Sequence, residues 1–306
     1  MARFWFLLFW AIAPQAFAQS PTIDTPNGKL AIFPADNPWN RTVTDYKRHP
    51  NSDAFVNSIG VDKPLHPDFG TYWRGKPIGI PYVLVGPKQK KLPITFRYAG
   101  ESDPGPYPIP LDAPIEGGVN SKGDRHIIVV DYVNQRLYEV FHAFRYGDGW
   151  KAGSGAVFDL NSNALRPSGW TSADAAGLPI FPGLIKYDEV IKEKEIRHAL
   201  RFTVSRSQRG YIYPARHFAS PHTSPELPPM GLRMRLKQDV DISGFPAEAQ
   251  VILVALKKYG MILADNGSDW FISGQPHPKW NMRALASLKK IKGRDFEAIY
   301  TGRIQH

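Results

Sequence analysis

The chain has 306 residues, a formal net charge of +10 and no cysteine. Without thiols there can be no disulfides, thiolate zinc sites, iron-sulfur clusters or cysteine nucleophiles, so the fold must be held by its core. The positive charge favours anionic partners such as an acidic polysaccharide, and no nucleic-acid-binding motif accompanies it.

The first eighteen residues, MARFWFLLFWAIAPQAFA, combine a basic start at Arg3, an apolar run from Phe4 to Ile12 and a small-x-small ending, Ala16-Phe17-Ala18. That order predicts a cleaved export signal over residues 1–18 and a secreted or periplasmic chain forming a single β-rich globular domain, residues 19–306. No later segment reaches the ~18 consecutive apolar residues of a membrane helix, so no integral membrane segment is expected.

Downstream, 28 prolines and 26 glycines are spread along the whole chain and cut it into short elements. Strands are predicted at IPYVLVG, LPITFRYA, RHIIVVDYV, QRLYEVFHAFRY, HALRFTV and GMILAD, with a hairpin turning at Val133 to Gln135. KQKK, Lys88 to Lys91, reads as an exposed hairpin tip. In QRLYEVFHAFRY, Leu137, Glu139 and Phe141 alternate with Tyr138, Val140 and His142, which puts Glu139 and His142 on opposite faces. His142, set among aromatics, is expected to be buried and hydrogen-bonded. The clearest helix is PAEAQVILVALKKYG, with Val251, Val254, Ala255 and Leu256 near helical spacing, Pro246 at its start and Gly260 at its stop. NMRALASLKKI is a shorter candidate, and NSDAFVNSIG and YDEVIKEKEI are weaker ones. The sum predicts a mainly β fold, a two-sheet β-sandwich of jelly-roll type with a few marginal helices.

Common catalytic motifs are missing. None of the nine histidines has the spacing of a zinc peptidase; His217 and His222 are five apart across a Ser-Pro pair. Ser154 in AGSGA is one residue out of the frame of a hydrolase elbow, and there is no phosphate-binding glycine loop. No metal and no cofactor is expected.

What remains is carboxylates, histidines, arginines and tryptophans in loops, the equipment of glycosidic bond hydrolysis. ESDPGPYPIPLDAPIEGG, with five prolines, is a stiff loop suited to holding Glu101, Asp103 and Glu116, Asp103 alternatively capping the Pro104-Gly105 turn. Asp159 ends a strand beside the polar turn that carries Asn163 and Trp170. In GWTSADAAGLPIFPG, Gly169 to Gly183, Thr171 or Ser172 caps a predicted helical turn that would keep Asp174 ionised. Asp174 is then either a base or nucleophile, or a buried anchor paired with Arg201 or Arg216. The predicted catalytic set is Asp159 and Asp174 with Glu101 in reserve. The predicted substrate-binding set is Trp170, Trp270, His142, His198, Arg201 and Asn163, with Trp280 a further aromatic platform. A polysaccharide lyase, with His142 or His198 as base, and a non-catalytic carbohydrate-binding or envelope protein are the alternatives to a glycoside hydrolase.

FPADNPWN (Phe33 to Asn40), HPDFG (His66 to Gly70), ESDPGPYPIP, GSGAVFDLNSNALRPSGWTSADAAGLPIFPGLIKYDEV and PPMGLRMRLK together resemble a widespread family of exported bacterial proteins. The resemblance spans Phe33 to Phe296 and implies a single exported domain. It carries over no catalytic residue.

Overall fold

A computed structural model describes residues 19–73 and 75–306, so the expected export signal lies outside the described residues. The strands follow the short apolar runs between prolines and glycines. In chain order they are β1 (Thr22–Thr25), β2 (Gly28–Ala31), β3 (His66–Asp68), β4 (Tyr72–Trp73), β5 (Lys76–Pro77), β6 (Tyr82–Val85), β7 (Ile94–Phe96), β8 (Ile127–Asp131) and β9 (Arg136–Phe141). There follow β10 (Phe144–Tyr146), β11 (Gly149–Ala152), β12 (Ser154–Asp159), β13 (Leu200–Val204), β14 (Arg233–Leu236), β15 (Met261–Asn266), β16 (Phe271–Ser273) and β17 (Phe296–Ile299). Helices are α1 (Ser52–Ile59), α2 (Ala247–Lys258) and α3 (Met282–Ser287). The β-rich expectation holds.

The larger sheets are a six-stranded one in the order β17-β14-β15-β13-β16-β3, a four-stranded one, β12-β9-β8-β6, and a three-stranded one, β10-β11-β7. All three are mixed, with parallel pairs at β13/β15, β16/β3, β6/β8 and β11/β7. That mixture departs from the purely antiparallel pairing of a jelly roll.

The four-stranded sheet is covered on both faces, which explains why every residue of β8 is buried. Ile128 and Val130 join Leu137, Ala156 and Phe158 on one face, whereas Ile127 and Val129 join Tyr138 and Val140 on the other. The β8–β9 hairpin turns where expected, because the Asp131 carboxylate accepts the backbone N–H of Val133 at 3.2 Å and of Asn134 at 3.0 Å. The alternation stops at Phe141. His142 adopts φ 55° and is exposed, so the buried histidine expected there is instead a bend between β9 and β10.

The largest core lies around the six-stranded sheet, with α1 against β17, α2 against β14 and α3 against β3. Helix α2 buries Ala249, Ile252, Leu253 and Leu256, while Val254 is 47% exposed. Its apolar stripe therefore runs on Ile252 and Leu253, and Val254 falls off it. YDEVIKEKEI forms only a short π-helical turn at Glu189–Glu193. Gly260 follows α2 at φ 67°, where a Cβ would sit 2.2 Å from the Met234 carbonyl oxygen, so the stop after this helix requires glycine.

Candidate functional site

A row of polar side chains crosses the six-stranded sheet at the strand ends. Asp68 on β3 is in register with Ser273 on β16, and Ser273 Oγ accepts a 2.7 Å hydrogen bond from Arg201 Nη1 on β13. Arg201 then grips Asp174 with two parallel bonds, Nε to Oδ2 at 2.7 Å and Nη2 to Oδ1 at 2.6 Å, and reaches Asp265 Oδ2 on β15 at 3.4 Å. Asp174 has no exposed surface. Of its two predicted roles, the geometry matches the buried anchor paired with Arg201.

The stretch that carries Asp174 is a tight turn, not the expected helical one. Gly177 N–H donates to the Asp174 carbonyl at 3.1 Å, Ser172 Oγ accepts the Asp174 N–H at 2.9 Å, and Ala176 N–H docks the turn on the Ala264 carbonyl of β15 at 2.9 Å. No helix dipole is formed. The charge of Asp174 is held by the guanidinium instead, in the fork geometry that suits a carboxylate best.

The loop before β8 supplies the second half of the cluster. His126 is buried, its Nδ1 lies 2.7 Å from Glu116 Oε2 and its Nε2 lies 3.1 Å from the Ala173 carbonyl. Both partners are acceptors, so both ring nitrogens carry hydrogen and the ring is an imidazolium. Burial opposes that charge, but Glu116 outweighs it and holds His126 up to about 9. Glu139, also buried, accepts the N–H groups of Ile180 at 2.8 Å and Phe181 at 2.8 Å.

Arg201 and His126 are the two cations of this cluster; Asp68, Glu116, Glu139, Asp174 and Asp265 are its five carboxyls. Two cations face five carboxyls, and for the most deeply enclosed of these the excess favours retained protons. Burial, reinforced by Asp174, pushes Asp265 up to about 7 against the pull of Arg201. Burial likewise pushes Glu139 up to about 7, despite the two backbone donors.

Two members of the cluster open to solvent. Asp68 and Glu116 line one cleft of about 580 Å³, between β3, the chain from Lys76 to Gly79, and the α3 side chains Met282 and Leu285 with Lys289 beyond. Their acidities are displaced in opposite directions. Asp68 is exposed at the cleft, but the desolvation imposed by the surrounding walls and the nearby Glu116 raise it, with Arg201 opposing. Burial also works to raise Glu116, but the charge and hydrogen bonds of His126 prevail and hold it below the usual carboxylate range. His66 stands at the cleft wall, stacked on Phe271 with ring centroids 4.0 Å apart, and burial with the nearby Lys289 lowers its basicity. Glu116, Asp124 and His126 also bring one donor atom each within 4.8 Å of one another, a set that could hold a divalent cation if His126 released the Nδ1 proton it shares with Glu116.

The residues singled out from the sequence are mostly elsewhere. Asp159 pairs with Arg136 at 3.0 Å and caps its own turn through the Asn161 N–H at 3.0 Å, so it is not brought to Asp174 in a groove. Glu101 Oε2 accepts the Thr171 N–H at 3.2 Å, and Asp103 accepts the Val157 N–H at 2.8 Å while pairing with Arg166. The proline-rich loop thus braces the Asp174 turn through its acids. Asn163 bonds Asp36 at 2.7 Å and Asn37 at 2.9 Å beside a void of about 20 Å³, too small for a sugar ring. Trp170, half-buried, lies 5.4 Å from the Arg166 guanidinium. Trp270 is fully buried between Phe202 and Phe296 and bonds the Gly60 carbonyl, and Trp280 is 4% exposed against Phe69 and Tyr187; neither can offer a ring face to a ligand. His198 is buried, 3.1 Å from Glu189 and 2.8 Å from the Ala199 carbonyl. His142 is exposed and Arg201 is buried. Of the expected residues, only Arg201 and Asp174 belong to the cluster, and neither lines the cleft.

Asp68 and His66, in HPDFG, and His126, in RHIIVVDYV, lay in quoted segments without a chemical role. Glu116 was signalled by the stiff loop that holds it.

No protein-family model matches the chain, and no curated protein and no solved structure matches it.

Proposed function

We propose that the protein is an exported carbohydrate-active hydrolase whose acid-base pair is Asp68 and Glu116. The observation that carries this reading is the opposite displacement of two carboxyl groups that line one cleft. Glycosidic hydrolysis needs one carboxyl that keeps its proton for the leaving oxygen and one that stays ionised to attack or to activate water. Asp68 is suited to the first role and Glu116 to the second. Glu116 Oε2 is held by His126, which fixes the orientation of the carboxylate and leaves Oε1 for water or the sugar. In this reading residues 19–306 form one domain, with the four-stranded and six-stranded sheets as the two layers of a sandwich and the polar cluster between them.

A polysaccharide lyase acting on an acidic glycan is the second reading, favoured by one observation. His66 is kept neutral in the same cleft as Lys76 and Lys289, a base beside cations that could neutralise a uronate carboxylate.

The test is incubation with a panel of neutral and acidic polysaccharides, following new reducing ends and ultraviolet-absorbing unsaturated products. The hydrolase reading expects saturated products from the wild type, lost in Asp68→Asn and Glu116→Gln. Unsaturated products lost in His66→Ala would replace it with the lyase. Retention of glycan without cleavage, unaffected by Asp68→Asn and Glu116→Gln, would leave a binding protein.

A further inference from the structure

A second cavity, of about 80 Å³, is lined by Arg41, Tyr46, Tyr213, Arg233 and Thr301, and no carboxylate lines it among the described residues. Arg233 on β14 is 5% exposed. Its guanidinium is held by neutral acceptors only: Nε donates to the Tyr259 carbonyl at 2.9 Å, Nη2 to the same carbonyl at 2.6 Å and to Arg41 O at 2.9 Å, and Nη1 to Pro38 O. A guanidinium has five N–H groups. These bonds use four of them and leave one Nη1 hydrogen.

Three further facts concern the same cavity. Arg41 is exposed at its mouth and uses Nε on the Asp36 carbonyl at 2.8 Å, so a second guanidinium stands close to the first. Thr301 lines the cavity too, with its Oγ1 sealed from the void and without a hydrogen-bond partner among the described residues. Burial, with no carboxylate to offset it and with Arg41 adding to the effect, pushes Arg233 below the usual arginine range. A buried cation without a counter-charge and a second cation beside it are each unfavourable. One anion relieves both, because oxyanions accept charge-assisted hydrogen bonds from guanidinium donors.

We propose that this cavity is a binding site for an oxyanion of phosphate or sulfate size. The volume fits: a cavity of about 80 Å³ has room for a group of a few heavy atoms. The exposed Arg41 and the 42% exposed Tyr213 give the mouth access to solvent, through which the oxyanion enters free or as a substituent of a larger molecule. Tyr46 and Tyr213 also line the cavity.

Titration calorimetry in an anion-poor buffer tests the site with inorganic phosphate, inorganic sulfate and glucose 6-phosphate. The expected result is saturable binding of one equivalent by the wild type. Arg41→Ala weakens it by roughly tenfold or more, while Asp68→Asn leaves it unchanged. Binding of the free ions assigns a free oxyanion; binding of glucose 6-phosphate alone, equally sensitive to Arg41→Ala, assigns one carried on a larger molecule. Arg41 is exposed, so its variant folds and reads the site without disturbing the core. No saturable binding of any probe, or binding indifferent to Arg41→Ala, overturns the proposal.

Discussion

Two carboxylates of one polar cluster, Asp174 and Glu116, meet their cations in different ways. Asp174 gives both oxygens to Arg201 and is sealed from water. Glu116 gives Oε2 to His126 and faces an open cleft. The first pair is a pin between a loop and a sheet; the second sets a charge where a ligand can reach it. What separates anchor from working group is spare hydrogen-bonding capacity and access to solvent. Both carboxylates lie in proline-rich or glycine-rich loops, and neither composition nor motif distinguishes them.

The largest effect is expected at Asp174. Asp174→Asn leaves Arg201 buried with its main counter-charge gone, and removing one partner of a buried pair costs about 3–5 kcal/mol. Urea unfolding at neutral pH should register a loss of that size. A change below ~1 kcal/mol, the range of exposed pairs, would mean that Asp174 is no anchor.

Next comes the cleft. Asp68→Asn and Glu116→Gln are expected to lower glycan cleavage by about 10²–10⁴-fold, the usual contribution of a positioned acid or base. Asp68→Asn should do so without unfolding the chain, because its side chain lies at the cleft surface. Circular dichroism beside the cleavage assay separates the two effects.

The pH dependence of stability sharpens the comparison. His126 binds its proton more tightly folded, about 9, than at the ordinary 6.5, so its contribution is whole below 6.5 and is lost as pH rises through about 9. Glu139 is raised from 4.5 to about 7, so the folded state is favoured while it stays protonated, and stability falls between those values as pH rises. Glu189, held at about 2 by Lys186 and His198 against its burial, works the other way: its contribution is present above 4.5 and lost as pH falls through about 2. Stability measured from pH 2 to pH 10 is therefore expected to peak in mild acid. Asp265, raised from 3.8 to about 7, adds to the same limb, so Glu139→Gln should make it shallower without abolishing it, and an unchanged limb would remove Glu139 as a source.

The smallest effect is expected at Asp159, whose ion pair with Arg136 at 3.0 Å is partly exposed. Asp159→Asn should change stability by no more than ~1 kcal/mol and leave cleavage intact. Loss of activity there would restore the carboxylate that the sequence favoured.

Much of the fold was readable because its signals are local. Ile127 to Asp131, Arg136 to Phe141 and the Asp131 turn follow from β-branching, alternation and side-chain capping within a few residues. The stripe of α2 was misplaced because Val254 satisfies helical spacing as well as Ile252 does, and only the neighbours decide which face is covered. The candidate site was hidden for a similar reason. Asp68 and Glu116 are far apart in sequence, and their acidities are set by the cleft walls and by neighbours on other elements, Glu116 acting on Asp68 and His126 on Glu116. Trp270 and Trp280 were offered as platforms because a tryptophan in a loop looks the same whether its ring turns outward or, as here, into the core.

The central claim is that Asp68 and Glu116 divide acid and base between them before any ligand arrives. Carboxyl carbon NMR titration of the wild type and of Glu116→Gln tests it without knowledge of the substrate. The account predicts that Asp68 titrates above the ordinary aspartate value and Glu116 below the ordinary glutamate value, and that Asp68 moves down when the Glu116 charge is removed. Ordinary titration of both groups in the wild type, with Asp68 unmoved in Glu116→Gln, would contradict it.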